Sequence, residues 1–494
     1  MKKYHPMTMI ALIILLLTST LVSSAAGSAR AEALEAALKL NIEPAWAVYG
    51  EVQGVRLGVA VGGAGDVNGD GLADIVVGAE RGGLDREGQV KLYLGVAGPG
   101  GPLDTAVWSV RGAKKGGMFG TAVDGGGDVN HDGWDDIVLG APNYTGEVTA
   151  DAGEGAVYVY FGGTDGPGLT ADWKLEGDLP GVKMGAAVGL GYINGDDYAD
   201  VIVGMPGYVN GTLENAGAAF VYFGTEDGPD TSYGWLDIGE QLSAQFGLEV
   251  AYAGDVNGDG YGDVLIGEPY YNYDIYQDAG AVHLYLGNQF SLSNVPAWSY
   301  IGYRGDDRLG TAAASAGDLN GDGCDEIVIG APGYNAEGML DTGRAYVFYG
   351  CQNESASTLN TIPDWEFSYP QAGANTGIDV SSGGDTNNDG YDELLVGMHG
   401  FDDEQANEGA VLAFFGRPGV ISTQAGWQVE GNKNDTWFGF SIDEAGDTNG
   451  DGLSDVVVGS PEYRHDEIIK GAAFLYFGSA VQSVYQTFIP FIGK

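Results

Sequence analysis

Basic side chains are scarce in this chain: 21 Lys and Arg face 69 Asp and Glu, a formal charge of −48. That balance excludes nucleic acid as a partner, because phosphate recognition needs a basic footprint. Histidine is rarer still, five in 494 residues, and beyond His5 the four others (His131, His283, His399, His465) are scattered singly. HExxH, G-x-S-x-G and phosphate-loop motifs are absent, which leaves no recognisable reaction centre. Only two cysteines occur, Cys324 and Cys351. They sit at the start of one predicted strand and just past the end of its hairpin partner. Across a pair centred between 337 and 338 they would lie opposite each other, so a disulfide is one reading and two inert thiols the other.

Long apolar runs are missing except at the N-terminus, so nothing later in the chain is a candidate membrane span. The opening MKKYHPMTMIALIILLLTSTLVSSAAGSARA places Lys2 and Lys3 before an apolar stretch from Met9 to Val22. Ala29-Arg30-Ala31 then fits an A-x-A cleavage site. Residues 1–31 therefore read as a secretory signal peptide, with an uncleaved anchor as the alternative, and residues 32–41 as a short spacer. The expected location is secreted, extracellular or cell-surface, without a transmembrane anchor. Residues 481–494 form a short apolar tail.

What the chain has in abundance is glycine, 86 residues without a three-residue period, which excludes collagen. Glycines cluster beside β-branched and aromatic runs, the mark of short strands joined by tight turns. Aromatic content of 11% and regular apolar runs exclude disorder despite the acidity.

An acidic knot followed by an apolar run recurs seven times. Its first positions are Asp66, Asp128, Tyr192, Asp255, Asp318, Asp385 and Asp447, at steps of 62, 64, 63, 63, 67 and 62 residues. Each unit reads as four strands. A short Gly-containing strand such as FGTAV (119–123) comes first, and the run after the knot, such as DIVLGAP (136–142), second. An aromatic strand such as GAVYVYFG (155–162) and a segment carrying one Trp complete the unit. The two middle strands are apolar nearly throughout, so both their faces need burial. Seven sheets packed face to face around an axis provide it, predicting an all-β, seven-bladed β-propeller of four-stranded antiparallel blades over residues 42–480. The Trp series (46, 108, 173, 235, 298, 365, 427) starts one unit early, so the strand around Trp46 is expected to complete the seventh blade and close the ring. A non-closing solenoid would leave Trp46 stranded.

The knots place side-chain oxygens at positions 1, 3, 5 and 9 and Gly at 6, the logic of a calcium loop, with the position-7 carbonyl as a backbone ligand. The candidate ligands are Asp66, Asn68, Asp70, Leu72 and Asp74; Asp128, Asn130, Asp132, Trp134 and Asp136; Asp255, Asn257, Asp259, Tyr261 and Asp263. The later units add Asp318, Asn320, Asp322, Cys324 and Glu326; Asp385, Asn387, Asp389, Tyr391 and Glu393; Asp447, Asn449, Asp451, Leu453 and Asp455. Magnesium demands stricter geometry, and zinc wants His or Cys sets these loops lack. Plain turns would not need three carboxylates in fixed register, since each like-charge pair at ~4 Å costs about 1 kcal/mol in water. The third unit has Tyr192 at position 1 and Asp197 at position 6. It keeps Asn194, Asp196 and Asp200, so its site is expected to be weak or empty. Six Ca²⁺ would move the formal charge from −48 to −36.

The "FG" strand, the DxNxDGxxD loop and "GAP" (Gly140 to Pro142, Gly330 to Pro332) together resemble FG-GAP repeats, as in the integrin α-subunit propeller. The resemblance implies a calcium-binding propeller acting in adhesion or extracellular ligand binding. It also implies a cup of aromatics just after the FG that grips a β-subunit. Here those positions are Val59, Thr121, Ala186, Leu248, Thr311, Ile378 and Phe440, a single aromatic, so an integrin-type β partner is not expected.

Strand alternation sends all the acidic loops to one rim. Basic residues gather on the other: Arg56, Arg111, Lys114, Lys115, Lys183, Arg304, Arg308 and Lys433 in connections between units, Arg81, Arg86, Arg464 and Lys470 in mid-unit loops. This rim is the expected face for an extracellular protein or an anionic glycan, with charge balancing as the bland alternative. One aromatic per mid-unit loop (Tyr144, Tyr208, Tyr271, Tyr334, Phe401, Tyr463) would stack on sugars or simply pack. A polysaccharide lyase on a calcium propeller and a purely structural surface component remain the alternative functions.

Overall fold

The computed structural model describes residues 43–146, 153–336, 338–351, 359–403 and 405–480. The signal peptide and spacer expected over 1–41 and the tail over 481–494 lie outside them. Among the described residues there are strands but no helix long and apolar enough to cross a membrane.

Seven four-stranded antiparallel sheets follow one another along the chain. In the first, Leu57–Gly65 pairs with Asp74–Ala79, then Gln89–Tyr93, then Trp108–Arg111. The fold is a seven-bladed β-propeller. In every blade the second strand, such as Asp74–Ala79 or Glu326–Ala331, is buried along its whole length, as its continuous apolar run requires. Closure follows the Trp series. Trp46–Tyr49 pairs antiparallel with Ala472–Tyr476, in register from Trp46↔Leu475 to Tyr49↔Ala472, so the seventh blade holds both ends of the propeller.

The seven tryptophans act as wedges between blades. Each indole packs on an aromatic ring in the third strand of the following blade, with centroids 4.7–5.6 Å apart. Trp46 on Tyr93 is the wedge that closes the ring. Such pairs contribute about 0.5–1.5 kcal/mol each beyond area burial. Indoles of this series also donate Nε1–H to a carbonyl of the next blade, as Trp108 does to Gly168 at 2.7 Å.

The glycine of each GAP faces the glycine at the position equivalent to FG in the next blade. A Cβ on Gly140 would stand 2.0 Å from the Gly185 carbonyl oxygen, and one on Gly330 would stand 2.0 Å from that of Gly377. Only hydrogen fits in that gap, which is why both motifs carry glycine.

The inner strands surround an axial channel of about 600 Å³. Val59, Thr121, Ala186, Thr311, Ile378 and Phe440 line it, and Phe440 is the sole aromatic among the seven positions that follow an FG glycine. The sequence reading overlooked the carboxylates in its wall. Asp124 accepts the Leu190 N–H at 2.8 Å, Asp379 the Ile442 N–H at 2.8 Å and Asp443 the Gly63 N–H at 3.1 Å, each a bond to a neighbouring blade. Desolvation pushes these acids up to about 6, 7 and 8 respectively.

Cys324 and Cys351 form a disulfide with a Cα–Cα distance of 6.0 Å. The flanking strands are in the register that places these residues opposite, Ile327↔Phe348 being the next pair along. The bridge spans a sequence separation of 27 residues, for which loop-closure entropy gives about 3.5 kcal/mol. Replacing both cysteines by Ser should lower unfolding free energy by roughly that amount in denaturant titration; an unchanged midpoint would show that the bridge adds nothing.

Candidate metal centres

Most of the acidic loops start from a twist in the inner strand. Just before position 1 the register slips at a glycine, between Gly63 and Gly65, Tyr252 and Gly254, Ser315 and Gly317, and Glu444 and Gly446. Those four glycines have φ of 67–73°. Such a bulge strengthens the twist and swings the loop clear of the ladder.

Within the loop the first carboxylate gathers backbone donors. Asp66 Oδ1 accepts the N–H groups of Gly69 and Asp70 at 2.7 and 3.0 Å, and Oδ2 that of Gly71 at 2.8 Å. The same pattern recurs from Asp128, Asp255, Asp318, Asp385 and Asp447. The position-5 carboxylate accepts the N–H of residue 7, as Asp70 does from Leu72 at 3.0 Å. This fixes the turn that presents the seventh carbonyl.

Position 9 opens the second strand and is fully buried in all seven loops. Asp74 accepts N–H bonds from Val67 at 3.1 Å and Gly95 at 2.9 Å, one on each oxygen. Burial still dominates. It raises Asp74 to about 7, Asp136, Asp263 and Glu393 to about 8, Glu326 to about 9 and Asp455 to about 6. Among the described residues no ion pair reaches a loop carboxylate.

Position 3 divides the loops in two. Asn68, Asn130 and Asn257 turn their amides to the position-5 acid. Asn320 and Asn387 are buried and donate to the ninth acid, at 2.6 Å to Glu326 and 2.7 Å to Glu393. Asn449 likewise faces Asp455. The longer glutamates thus stay in contact with their loops.

Each predicted ligand set lies within a single loop, but among the described residues no loop brings its first, fifth and ninth carboxylates within 4.8 Å of one another. The donors are carboxylate, amide and carbonyl oxygens, the hard-oxygen set that suits Ca²⁺. The third loop keeps part of the turn, with Asp196 N–H on Asn194 at 3.0 Å and Ile193 N–H on Asp200 at 3.1 Å. It lacks the first carboxylate, and Asp197 does not take the positive φ that glycine has at position 6 of the other six loops. Cys324 stands at position 7 of the fifth loop, and its thiol is committed to the disulfide.

The opposite rim is built as a set of braces. Six residues after the outer-strand Trp, a long side chain reaches the mid-unit loop of the next blade. Arg304 donates to the Asn335 carbonyl at 2.9 Å, Lys433 to that of Arg464 at 3.0 Å, and Gln241 and Gln371 do the same with Asn272 and Asp402. Arg304 and Lys433 also cover Tyr334 and Tyr463, at 4.8 and 4.3 Å from the ring centres. Tyr144, Tyr334 and Phe401 are buried, so the repeated aromatic is a packing position in those blades. Arg56 is held by Glu80 and by Glu462, the latter at 3.0 Å. His283 ties strands of blade four together, between Ser299 Oγ at 2.8 Å and Glu268 Oε2 at 3.3 Å.

With this geometry in hand, comparison with known proteins is direct. The FG-GAP repeat profile matches residues 58–93, 119–160, 246–285 and 310–348, the cores of blades one, two, four and five. The chain is a β-propeller with FG-GAP repeats in four of its blades. This FG-GAP propeller is 28% identical to integrin alpha-5 of Xenopus laevis over 253 residues, 50% of this chain and 22% of that protein. It is 27% identical to integrin alpha-6 of Gallus gallus over 349 residues, 67% of this chain and 30% of that one. To the phosphatidylinositol-glycan-specific phospholipase D of Rattus norvegicus it is 27% identical over 244 residues, 45% of this chain and 28% of the enzyme. The match thus spans less than a third of these relatives. The relatives include both integrins and an enzyme.

Proposed function

We propose that this FG-GAP propeller is a secreted or cell-surface calcium-binding module that holds an extracellular protein or glycan ligand in adhesion. The carrying observation is the set of six loops on one rim, each with carboxylates at positions 1, 5 and 9 and a buried ninth acid. Position 1, 3, 5 and 9 side chains and the position-7 carbonyl would hold Ca²⁺. The ion would supply the positive charge that lets acids sit at the start of a buried strand. The relatives named as integrins support the extracellular setting.

The bracing role of Arg304, Lys433 and Arg56 narrows the basic rim as a docking face. Lys115, paired with Asp85 at 3.3 Å and mostly exposed, is free to turn to an anionic ligand. The test is a glycan-array and extracellular-protein pull-down screen in Ca²⁺ and in EGTA. Retention of a ligand in Ca²⁺ that is lost in EGTA is expected. No retention under either condition would leave a structural component, and unsaturated products from acidic polysaccharides would establish a lyase.

A further inference from the structure

The third loop gives up a carboxylate at position 1, and the structure shows what the replacement does. The Tyr192 hydroxyl accepts the backbone N–H of Asp128, the first residue of the second loop, at 3.2 Å. Elsewhere that job belongs to the eighth-position carboxylate of the following blade. Asp135 takes the Asp66 N–H at 2.7 Å, Asp325 the Asp255 N–H at 2.7 Å, and Asp392 the Asp318 N–H at 2.8 Å. In the third blade position 8 is Ala199, fully buried and without an acceptor side chain. Tyr192 reaches the same N–H from the other end of its loop.

These bonds lie on a closed circuit. At all seven junctions the position-8 N–H of one blade donates to the position-1 carbonyl of the blade before it, at 2.9–3.3 Å, including Ala73 to Asp447 where the ring closes. The position-7 side chain adds a cover. Tyr198 stands edge-on to His131 of the second loop at 5.6 Å, and Trp134 lies against Gly69 of the first. The backbone of each first ligand is therefore held at its carbonyl by the next blade, and in four junctions at its N–H as well.

We propose that Tyr192 is a positioning residue for the metal site of the second blade, so that the third loop serves its neighbour rather than a metal of its own. This rests on the calcium reading above. Asp128 can orient its carboxylate only if its own backbone is fixed. Its two oxygens are already aligned by the N–H groups of Asp132 at 3.1 Å and Gly133 at 2.8 Å. Removing the hydroxyl leaves the Asp128 N–H without that acceptor and loosens the first ligand, while the aromatic ring keeps its packing. A lost hydrogen bond of this kind corresponds to about a five- to tenfold change in an equilibrium constant.

The probe is Tb³⁺, which takes calcium-type oxygen sites and is excited through a nearby indole; Trp134 stands at position 7 of this loop, where the other consensus loops carry Leu, Tyr or Cys. Three forms of the whole chain are titrated: the parent, Asp128→Ala, and Tyr192→Phe. The parent is expected to show Trp-sensitised emission that Asp128→Ala removes. Tyr192→Phe should then bind Tb³⁺ at that loop about five- to tenfold more weakly, with an unchanged melting temperature in EGTA. Unchanged affinity in Tyr192→Phe overturns the inference and leaves the calcium reading intact. A lower melting temperature in EGTA with unchanged affinity assigns Tyr192 to packing alone and overturns it too. Because Trp134 also lies against Gly69, all three forms carry Asp66→Ala to silence the first loop, and emission that then survives Asp128→Ala overturns the calcium reading itself.

Discussion

Removing divalent ions with EGTA should lower the melting temperature of this FG-GAP propeller by on the order of 10–20 °C. An ion that binds only the folded chain stabilises it by about 2.7 kcal/mol per site when present at a hundred times its dissociation constant. Six sites acting together make this the largest effect any single reagent is expected to have. The structural reason lies at position 9. Asp74, Asp136, Asp263, Glu326, Glu393 and Asp455 are buried at the start of the strand that forms the centre of each blade. Without a cation each must either stay charged at a desolvation cost or take up a proton. Calorimetry in Ca²⁺ and in EGTA checks this, with the same comparison on Asp128→Ala giving the share of one loop.

The second large effect is an inversion of pH dependence. In the metal-free chain the buried loop acids titrate between about 6 and about 9, and channel acids Asp124, Asp379 and Asp443 between about 6 and about 8. Unfolded, all of them would titrate near 4. Between these limits the folded chain binds more protons than the unfolded one. Stability in EGTA is therefore greatest at acid pH and falls as pH rises through the folded-state values. With Ca²⁺ in the loops the sign reverses for the ninth acids, because protons now compete with the ion. Each proton displaced per site weakens binding by up to about tenfold per pH unit below the carboxylate's folded pKa. Melting curves from pH 5 to 8.5 should slope downward with pH in EGTA and upward in millimolar Ca²⁺. Parallel slopes would mean that the loop acids are not ligands.

The architecture was legible because its cause is repeated. Seven Trp residues at a near-constant step with one arriving early predicted the closing strand, and Trp46 against Tyr93 is the contact that makes the closure pay. The register of Ile327 with Phe348 followed from two cysteines placed symmetrically about a hairpin. The placement of the candidate ligand residues in loops was legible for the same reason, since the acidic knot recurs at a near-constant step beside each second strand. What escaped was whatever depends on a neighbouring blade. Nothing in YINGDDYAD shows that Tyr192 bonds the unit before it, or that Arg304 and Gln371, unlike in charge, brace equivalent junctions. Asp124 and Asp443 look like surface acids in a Gly-rich strand, and only ring closure puts them in a channel wall. Two asparagines in matching N-G-D-G contexts, Asn257 and Asn320, point to different acids, and Asn449 sides with Asn320 although its ninth acid is Asp455, so side-chain length at position 9 does not set the choice.

The most direct measurement is metal stoichiometry by equilibrium dialysis of the folded chain against millimolar Ca²⁺, read by elemental analysis. Close to six ions per chain, falling to five in Asp128→Ala, is the expected result. A chain that retains none, while still folded, would contradict the claim that cations hold these carboxylate loops together.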